Sequence, residues 1–355
     1  MKKLLFALAT TGAMLMAGAA SAQDKTKACW IYIGPTGDFG WSYQHDQGRQ
    51  EVAAELGDKV ETVFLESVPE SADAERALEN LSRSGCKIIF TTSFGYMDPT
   101  NKVAGRFPDV KFEHATGYKR DHPNVSTYNS KFHEGRYVQG VIAAKMSKAG
   151  VAGYIASFPI PEVVMGINAF VLGAQSVNPD FKVKVVWANT WFDPGKEADA
   201  AKALIDQGVD IITQHTDSTA AIQVAAERGI KAFGQASDMI AFAPQTQLTS
   251  IVDDWGPYYV KRVKAVVDGT WEQSDVWGGM AEGHVVMAPY TNMPDDVKAL
   301  AEETEAKIKA GFEPFTGPIK KQDGSEWLKE GEVAEDGVLL GLNFYVAGVD
   351  DKLPN

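Results

Sequence analysis

The feature that most limits what this chain can become is an alternation. Short apolar, β-branched runs at 29–34, 62–67, 87–92, 111–116 and 125–129, and again at 151–156, 183–188, 209–213, 231–235 and 247–252, are separated by helical patterns. Those patterns lie at 42–56, 71–84, 99–106, 133–148, 161–177, 195–207, 218–229 and 256–268. Strand, helix, strand at this spacing is a βαβ signature, and near-continuous apolar strands suit parallel sheets covered on both faces. The fold class read from this is α/β. Ser71 before Ala72-Asp73, and Asp193 before Pro194, mark two of the helix starts.

The strands fall into two sets. Five precede residue 130, and a new set begins at Val151 after the helical stretch from Phe132 to Lys148. A chain of 355 residues also exceeds the usual size of one core. The expected architecture is two doubly wound parallel-sheet lobes joined by interlobe crossings. The N-terminal lobe takes 23–130 plus about 251–278, and the C-terminal lobe 131–250 plus about 279–310. Residues 311–355 are a tail packed on the lobes. Leu248 to Asp254 reads as a segment passing back toward the first lobe, with a further crossing near Val276 to Gly279.

Residues 1–22 read as a cleaved signal peptide. Met1-Lys2-Lys3 is a positive start, Leu4 to Ala20 an apolar stretch, and Ala20-Ser21-Ala22 a small-residue cleavage site. Removing them takes the formal charge from −13 to −15, because they carry Lys2 and Lys3 and no acid. A surface of that sign repels phosphate backbones and anionic lipid, which argues against nucleic-acid and membrane-surface partners. Cys29 and Cys86, the two cysteines, each open a strand pattern. Export and adjacent strands permit a disulfide, and two buried thiols are the alternative.

Open parallel sheets bind ligands beyond the carboxyl ends of their strands, so function belongs in the loops there. Those loops alternate aromatics with carboxylates. They supply Asp38, Trp41 and Tyr43 after the first strand, Phe94, Tyr96 and Met97 after the third, and Asn129 after the fifth. The second half supplies Phe158, Trp191, His215, Asp217, Asp238, Asp254 and Trp255. Such a rim suits a flat, uncharged or cationic ligand bearing hydrogen-bond donors. The carboxylates also suit helix N-caps, and the tryptophans ordinary packing.

Catalytic signatures are weak. Gly34, Gly37 and Gly40 lack the dinucleotide spacing, the six histidines show no metal-ligand spacing, and no Gly-x-Ser-x-Gly elbow occurs. Neither a cofactor, a metal nor an enzyme activity is expected.

Eight stretches, in order, carry a family likeness. They begin with Gly37-Asp38-Phe39-Gly40-Trp41-Ser42, Gly95-Tyr96-Met97-Asp98, His133-Glu134-Gly135-Arg136-Tyr137 and Gly153 through Pro161. Phe192-Asp193-Pro194-Gly195-Lys196, Gly208-Val209-Asp210-Ile211-Ile212, Ser237-Asp238 and Leu248-Thr249-Ser250 complete them. The chain resembles the basic membrane protein (BMP) family of ABC-transporter substrate-binding proteins, which are purine-nucleoside-receptor-like. The resemblance implies a type I periplasmic-binding-protein fold with a hinge-closing cleft, a purine base or nucleoside as ligand, and an inner-membrane ABC permease as partner. It also implies that Trp41 and Trp191 sandwich the base while Asp38 and Asp238 accept its hydrogen bonds. Two departures, His215-Thr216-Asp217-Ser218 in place of a Gly-rich loop and Asp253 in place of a lysine, leave room for a bare base such as adenine. Many relatives are lipoproteins. The cleavage site here has no Cys, so a soluble periplasmic monomer is expected. The alternatives are a type I receptor for a sugar or amino acid and a periplasmic nucleoside-acting enzyme.

Overall fold

The computed structural model describes residues 25–354, so the expected signal peptide lies outside the described residues. The chain first lays down β1 (Thr26–Ile31), α1 (Trp41–Leu56), β2 (Val60–Leu65), α2 (Ala72–Arg83), β3 (Ile88–Thr91), α3 (Met97–Ala104), β4 (Lys111–Ala115) and β5 (Val125–Ser130). It then continues through α4 (Phe132–Met146), β6 (Val151–Ala156), α5 (Pro161–Gln175), β7 (Lys182–Trp187), α6 (Pro194–Asp206), β8 (Ile211–Gln214), α7 (Ala220–Glu227), β9 (Lys231–Gly234) and β10 (Gln247–Asp253). The remainder is α8 (Gly256–Val267), β11 (Asp275–Gly278), β12 (Val285–Met287), α9 (Asp295–Lys309), a small hairpin of β13 (Ile319–Lys320) and β14 (Glu326–Leu328), and α10 (Asp336–Leu339).

Two six-stranded sheets result, ordered β11-β5-β4-β3-β1-β2 and β12-β10-β9-β8-β6-β7. The first is parallel throughout; the second is parallel except where β12 runs against β10. One sequence expectation needs correction here. The segment expected to turn back toward the first lobe stays in the second sheet as far as Asp253, because Ile251 to Asp253 pair with Val285 to Met287. The chain returns only after Asp253, when α8 packs on α1 and buries Tyr258, Tyr259 and Val263 with the first-lobe aromatics. It crosses again between β11, at the edge of the first sheet, and β12, at the edge of the second.

The lobes have different cores. The first is aromatic on one side of its sheet, with Trp30 stacked on Phe90 at 4.7 Å and Tyr128, Tyr258 and Tyr259 around them, and mainly aliphatic on the other, with Ile31, Leu78 and Val103. The second is mainly aliphatic and built on α4 and α5. Burial of side chains this large is the main stabilising term of each lobe. Cys29 and Cys86 form a disulfide, their Cα atoms 6.1 Å apart, at neighbouring parallel strands β1 and β3. Closing the intervening loop adds about 4 kcal/mol in the chain-entropy picture.

Candidate functional site

Every residue lining one narrow cavity of about 20 Å³ follows the carboxyl end of a strand. From the first lobe come Ile33 and Trp41 after β1, Ser93 and Phe94 after β3, and Thr116 after β4. From the second come Glu162 after β6, Trp191 after β7, His215 and Asp217 after β8, and Gln235 after β9. Two parallel sheets have brought their loop ends together there, which is where open α/β sheets present their sites.

The backbone is strained around it. Six non-glycine residues among those described have positive φ, and four of them, Phe39 (58°), Thr116 (64°), Asn189 (51°) and Ala236 (62°), lie in these loops. A β-branched threonine in that region is costly and persists where the surrounding structure enforces it, as at ligand clamps.

Trp41 stands at the first position of α1. Its Nε1 donates to the Thr92 carbonyl at 2.6 Å, and its ring meets His45 edge-on at 4.3 Å and Trp255 at 5.6 Å. Asp38 builds this helix start: Oδ1 accepts from the Gly40 and Tyr43 amides at 2.8 and 2.9 Å, and Oδ2 from Ser42 at 2.9 Å. These three bonds offset the desolvation that pushes its carboxyl up. Gly40 is required by contact between lobes, since a Cβ there would lie 2.2 Å from the Asp217 carbonyl oxygen.

Trp191 forms the opposing aromatic wall. Phe158 meets it edge-on at 5.0 Å, and its Nε1 donates across to Glu70 of the first lobe at 3.2 Å. The Asp217 amide donates to the Trp191 carbonyl at 3.0 Å, tying the two second-lobe loops together. Glu197 of α6 fixes them further by accepting from the Asp193 and Ser218 amides.

Several polar groups at the cavity have no partner among the described residues. The Asp217 carboxyl accepts no hydrogen bond, and burial, reinforced by Asp38, Glu197 and Asp253, pushes it well above the usual range. Thr116 Oγ1 and His215 Nδ1 are buried without partners. Gln235 gives its Oε1 to Arg136, which leaves its amide N–H groups free. Glu162 accepts from Asn129 Nδ2 at 2.9 Å and stands 3.7 Å from His215 Nε2. Burial lowers the His215 imidazole. Behind this wall Asp253 is wholly buried with both oxygens unpartnered, and desolvation outweighs Arg136 in pushing it well above the usual range.

Trp41, Phe94, Trp191, His215 and Asp217, expected at the rim from sequence, line this cavity; Phe158 supports Trp191 and Asn129 supports Glu162. The others lie elsewhere. Trp255 is fully buried in the first-lobe core, stacked on His45 at 4.7 Å. Tyr96 is buried under β1–β3 with its hydroxyl on the Val68 carbonyl, and Met97 Sδ accepts from the Tyr118 amide. Tyr43 faces Phe39 at 5.3 Å. Asp238 is exposed, its Oδ1 taken by the Ile240 amide and Gln247 Nε2. Asp254 lies just before α8, its amide donating to the His284 carbonyl at 3.1 Å. Ser93, Thr116, Glu162 and Gln235 were not singled out by sequence, though each follows a strand.

The family described as "ABC transporter substrate-binding protein PnrA-like" matches residues 25–313. A purine-binding protein of Brucella abortus is 73% identical over 98% of this chain and 99% of its own. A Haloferax volcanii protein whose name carries a provisional ABC-transporter glucose-binding assignment is 38% identical over 95% of this chain and 84% of its own. An ABC transporter solute-binding protein from Aeropyrum pernix superposes with a TM-score of 0.71 at 23% identity, covering 83% of this chain and 93% of that one, and speaks for the fold. With two α/β lobes of type I periplasmic-binding-protein architecture and a family match across most of its length, the chain belongs to the Bmp family of PnrA-like ABC transporter substrate-binding proteins.

Proposed function

We propose that this chain binds a purine base or nucleoside, adenine or adenosine favoured, in the cavity between the two sheets, and hands it unaltered to an ABC permease. The observation that carries this reading is the pairing of two indoles, Trp41 and Trp191, with unpartnered groups of both hydrogen-bonding senses, the Asp217 carboxyl and the Gln235 amide. A purine needs that combination. Its faces stack at about 1–3 kcal/mol each, and its exocyclic amine and ring nitrogens need an acceptor and a donor in one plane. Hydrogen bonds to a neutral carboxyl and an amide add about 0.5–1.5 kcal/mol each to the stacking.

Contacts between the lobes fit a clamshell that closes on its ligand. Phe39 packs on Phe242 at 4.7 Å, Ser237 Oγ donates to the Phe39 carbonyl, and Trp191 reaches Glu70. A ligand touching both walls binds the closed form better than the open one, and that difference makes the loaded receptor recognisable to a permease. On this reading the protein works as a soluble periplasmic monomer. The name of the Haloferax relative keeps a sugar in play, yet no arginine lines the cavity among the described residues.

The test begins with denaturing the purified protein and identifying released small molecules by mass spectrometry. Calorimetric titration with adenine, adenosine, guanine, hypoxanthine and glucose follows. Saturable heat for purines and none for glucose is expected, with adenosine recovered unchanged after incubation. Heat for glucose alone would refute the purine reading, and chemical conversion of adenosine would refute the receptor reading. Trp41→Ala and Trp191→Ala should each weaken purine binding by about tenfold or more. Unaltered isotherms for both would move the site elsewhere.

A further inference from the structure

The family match ends at residue 313, and residues 314–354 form an appendage fixed to the second lobe. Asn168 of α5 donates to the Phe344 carbonyl at 2.9 Å and accepts from the Val346 amide at 3.0 Å. Val349 bridges to Val183, and Asp351 accepts from the Val185 amide at 2.7 Å. Leu339, Leu342, Tyr345 and Val346 are buried in the second-lobe core. The appendage therefore moves with the second lobe.

Its helix α10 projects over the gap between the lobes. Asp336 and Leu340, both exposed, line a second cavity of about 750 Å³ whose other walls include Tyr118, Asp275 and Trp277 of the first lobe. This cavity shares Phe94, Thr116 and Glu162 with the cavity described above, so the two adjoin across these three side chains. A substituent on a ring stacked at Trp41 and directed past Glu162 would point toward it.

The chemistry of the lining is one-sided. Glu162, Asp275 and Asp336 contribute carboxyl groups, and neither lysine nor arginine lines the space among the described residues. Glu162 is bonded to Asn129, and Asp275 to Arg120 and Thr127. The Asp336 side chain has no partner among the described residues. Hydroxyl donors find acceptors in such a space, whereas a phosphate meets a net negative lining, strongest at low salt.

We propose that Asp336 and Leu340 form the selecting wall of the cleft mouth, bounding the room for a substituent on the bound base and admitting neutral hydroxylated groups while refusing phosphorylated ones. This rests on the purine reading. Leu340 limits size and Asp336 limits charge.

The probes are adenine, adenosine and adenosine monophosphate, titrated calorimetrically into the wild type, Leu340→Trp and Asp336→Lys. Both side chains are exposed, so both variants should keep the wild-type melting temperature, which is measured alongside. Leu340→Trp should weaken adenosine about fivefold or more and leave adenine within about twofold, because only the substituent meets the larger side chain. Asp336→Lys should tighten the monophosphate about fivefold or more at low salt and fade as salt is raised. Adenosine binding indifferent to Leu340→Trp, adenine and adenosine weakening together, or the monophosphate unaffected by Asp336→Lys would each overturn the wall while leaving the purine reading intact. A wild type that binds no purine overturns both.

Discussion

Among the described residues each lobe buries one arginine, and the two are treated differently. Arg262 of α8 lies against Glu113 at 2.7 Å and also donates to Ser126 Oγ and the Glu272 carbonyl. Glu113 in turn accepts from Tyr258 at 2.7 Å and Trp271 at 2.6 Å. Arg136 of α4, wholly buried in the second lobe, donates to Gln139, Thr213, the Gln214 carbonyl and Gln235, and none of its ion-pair partners is a carboxylate among the described residues. Asp217 lines the cavity and Asp253 lies behind it, and neither carboxyl bonds to Arg136. The Arg262 network of the first lobe is closed by a carboxylate, and the Arg136 network of the second, which reaches the cavity through Gln235, is not. A buried polar group without a partner is costly, so an open network on one wall marks where an exchangeable partner belongs.

The largest effect that distinguishes the lobes is on stability. Glu113→Ala strands Arg262 in the first-lobe core and should cost about 3–5 kcal/mol in urea unfolding. Adenine affinity of the folded fraction should change by less than about twofold, because Glu113 lies outside the cavity. A cost below about 1 kcal/mol would mean that the first-lobe network is not closed, and the contrast would fail.

Asp217→Leu should do the opposite. It replaces a carboxyl pushed up by burial and by Asp38, Glu197 and Asp253 with an apolar side chain of similar size, so the melting temperature should hold or rise. Purine affinity should fall about fivefold or more, because the acceptor for the ligand is gone. A variant that melts lower and binds equally well would make Asp217 a structural residue of the second lobe.

Much of this was legible in the sequence, for identifiable reasons. The βαβ alternation is written in the spacing of apolar runs, and strand-end loops follow from it, which is how Trp41, Phe94, Trp191, His215 and Asp217 were reached. What the spacing could not separate is one aspartate from another. Asp38, Asp217 and Asp238 all follow a strand and precede a helical turn. Asp38 is taken by three amides of its own turn, Asp238 by an amide and a glutamine, and Asp217 by none. That depends on where nearby N–H groups point, which is set by the packing of loops from distant parts of the chain. Trp255 illustrates the same limit: it precedes a helix as Trp41 opens one, but α8 turns it into the core against His45. Gln235, Thr116 and Glu162 stand at equally informative strand ends, but their residue types are common in ordinary loops and helix starts and carry no signal without the cavity they line.

A pH titration sharpens the contrast further. Burial holds Asp253 protonated in the folded state well above its ordinary 3.8, so the native protein binds a proton that the unfolded chain releases. Stability from this group is therefore greatest below about pH 3.8 and declines as pH rises from there toward the elevated folded value. Asp253→Asn should flatten that decline in a plot of melting temperature against pH for the ligand-free protein. An unchanged slope would assign the decline to other buried acids, Asp217 and Glu197 first.

The smallest effect tests the comparison most directly, because the family resemblance and the geometry pull apart. By resemblance Asp238 accepts hydrogen bonds from the ligand. In the structure it is exposed, its Oδ1 bonded to the Ile240 amide at 3.0 Å and to Gln247 Nε2 at 2.7 Å, and it does not line the cavity. Asp238→Asn keeps an oxygen for those donors, and an exposed substitution of this kind shifts free energy by about 0.5 kcal/mol or less, so adenine affinity should stay within about twofold. A tenfold loss would require the Asp238 loop to swing inward when ligand binds. The closed network would then extend into the second lobe only after loading, and the open wall described here would belong to the unliganded receptor alone.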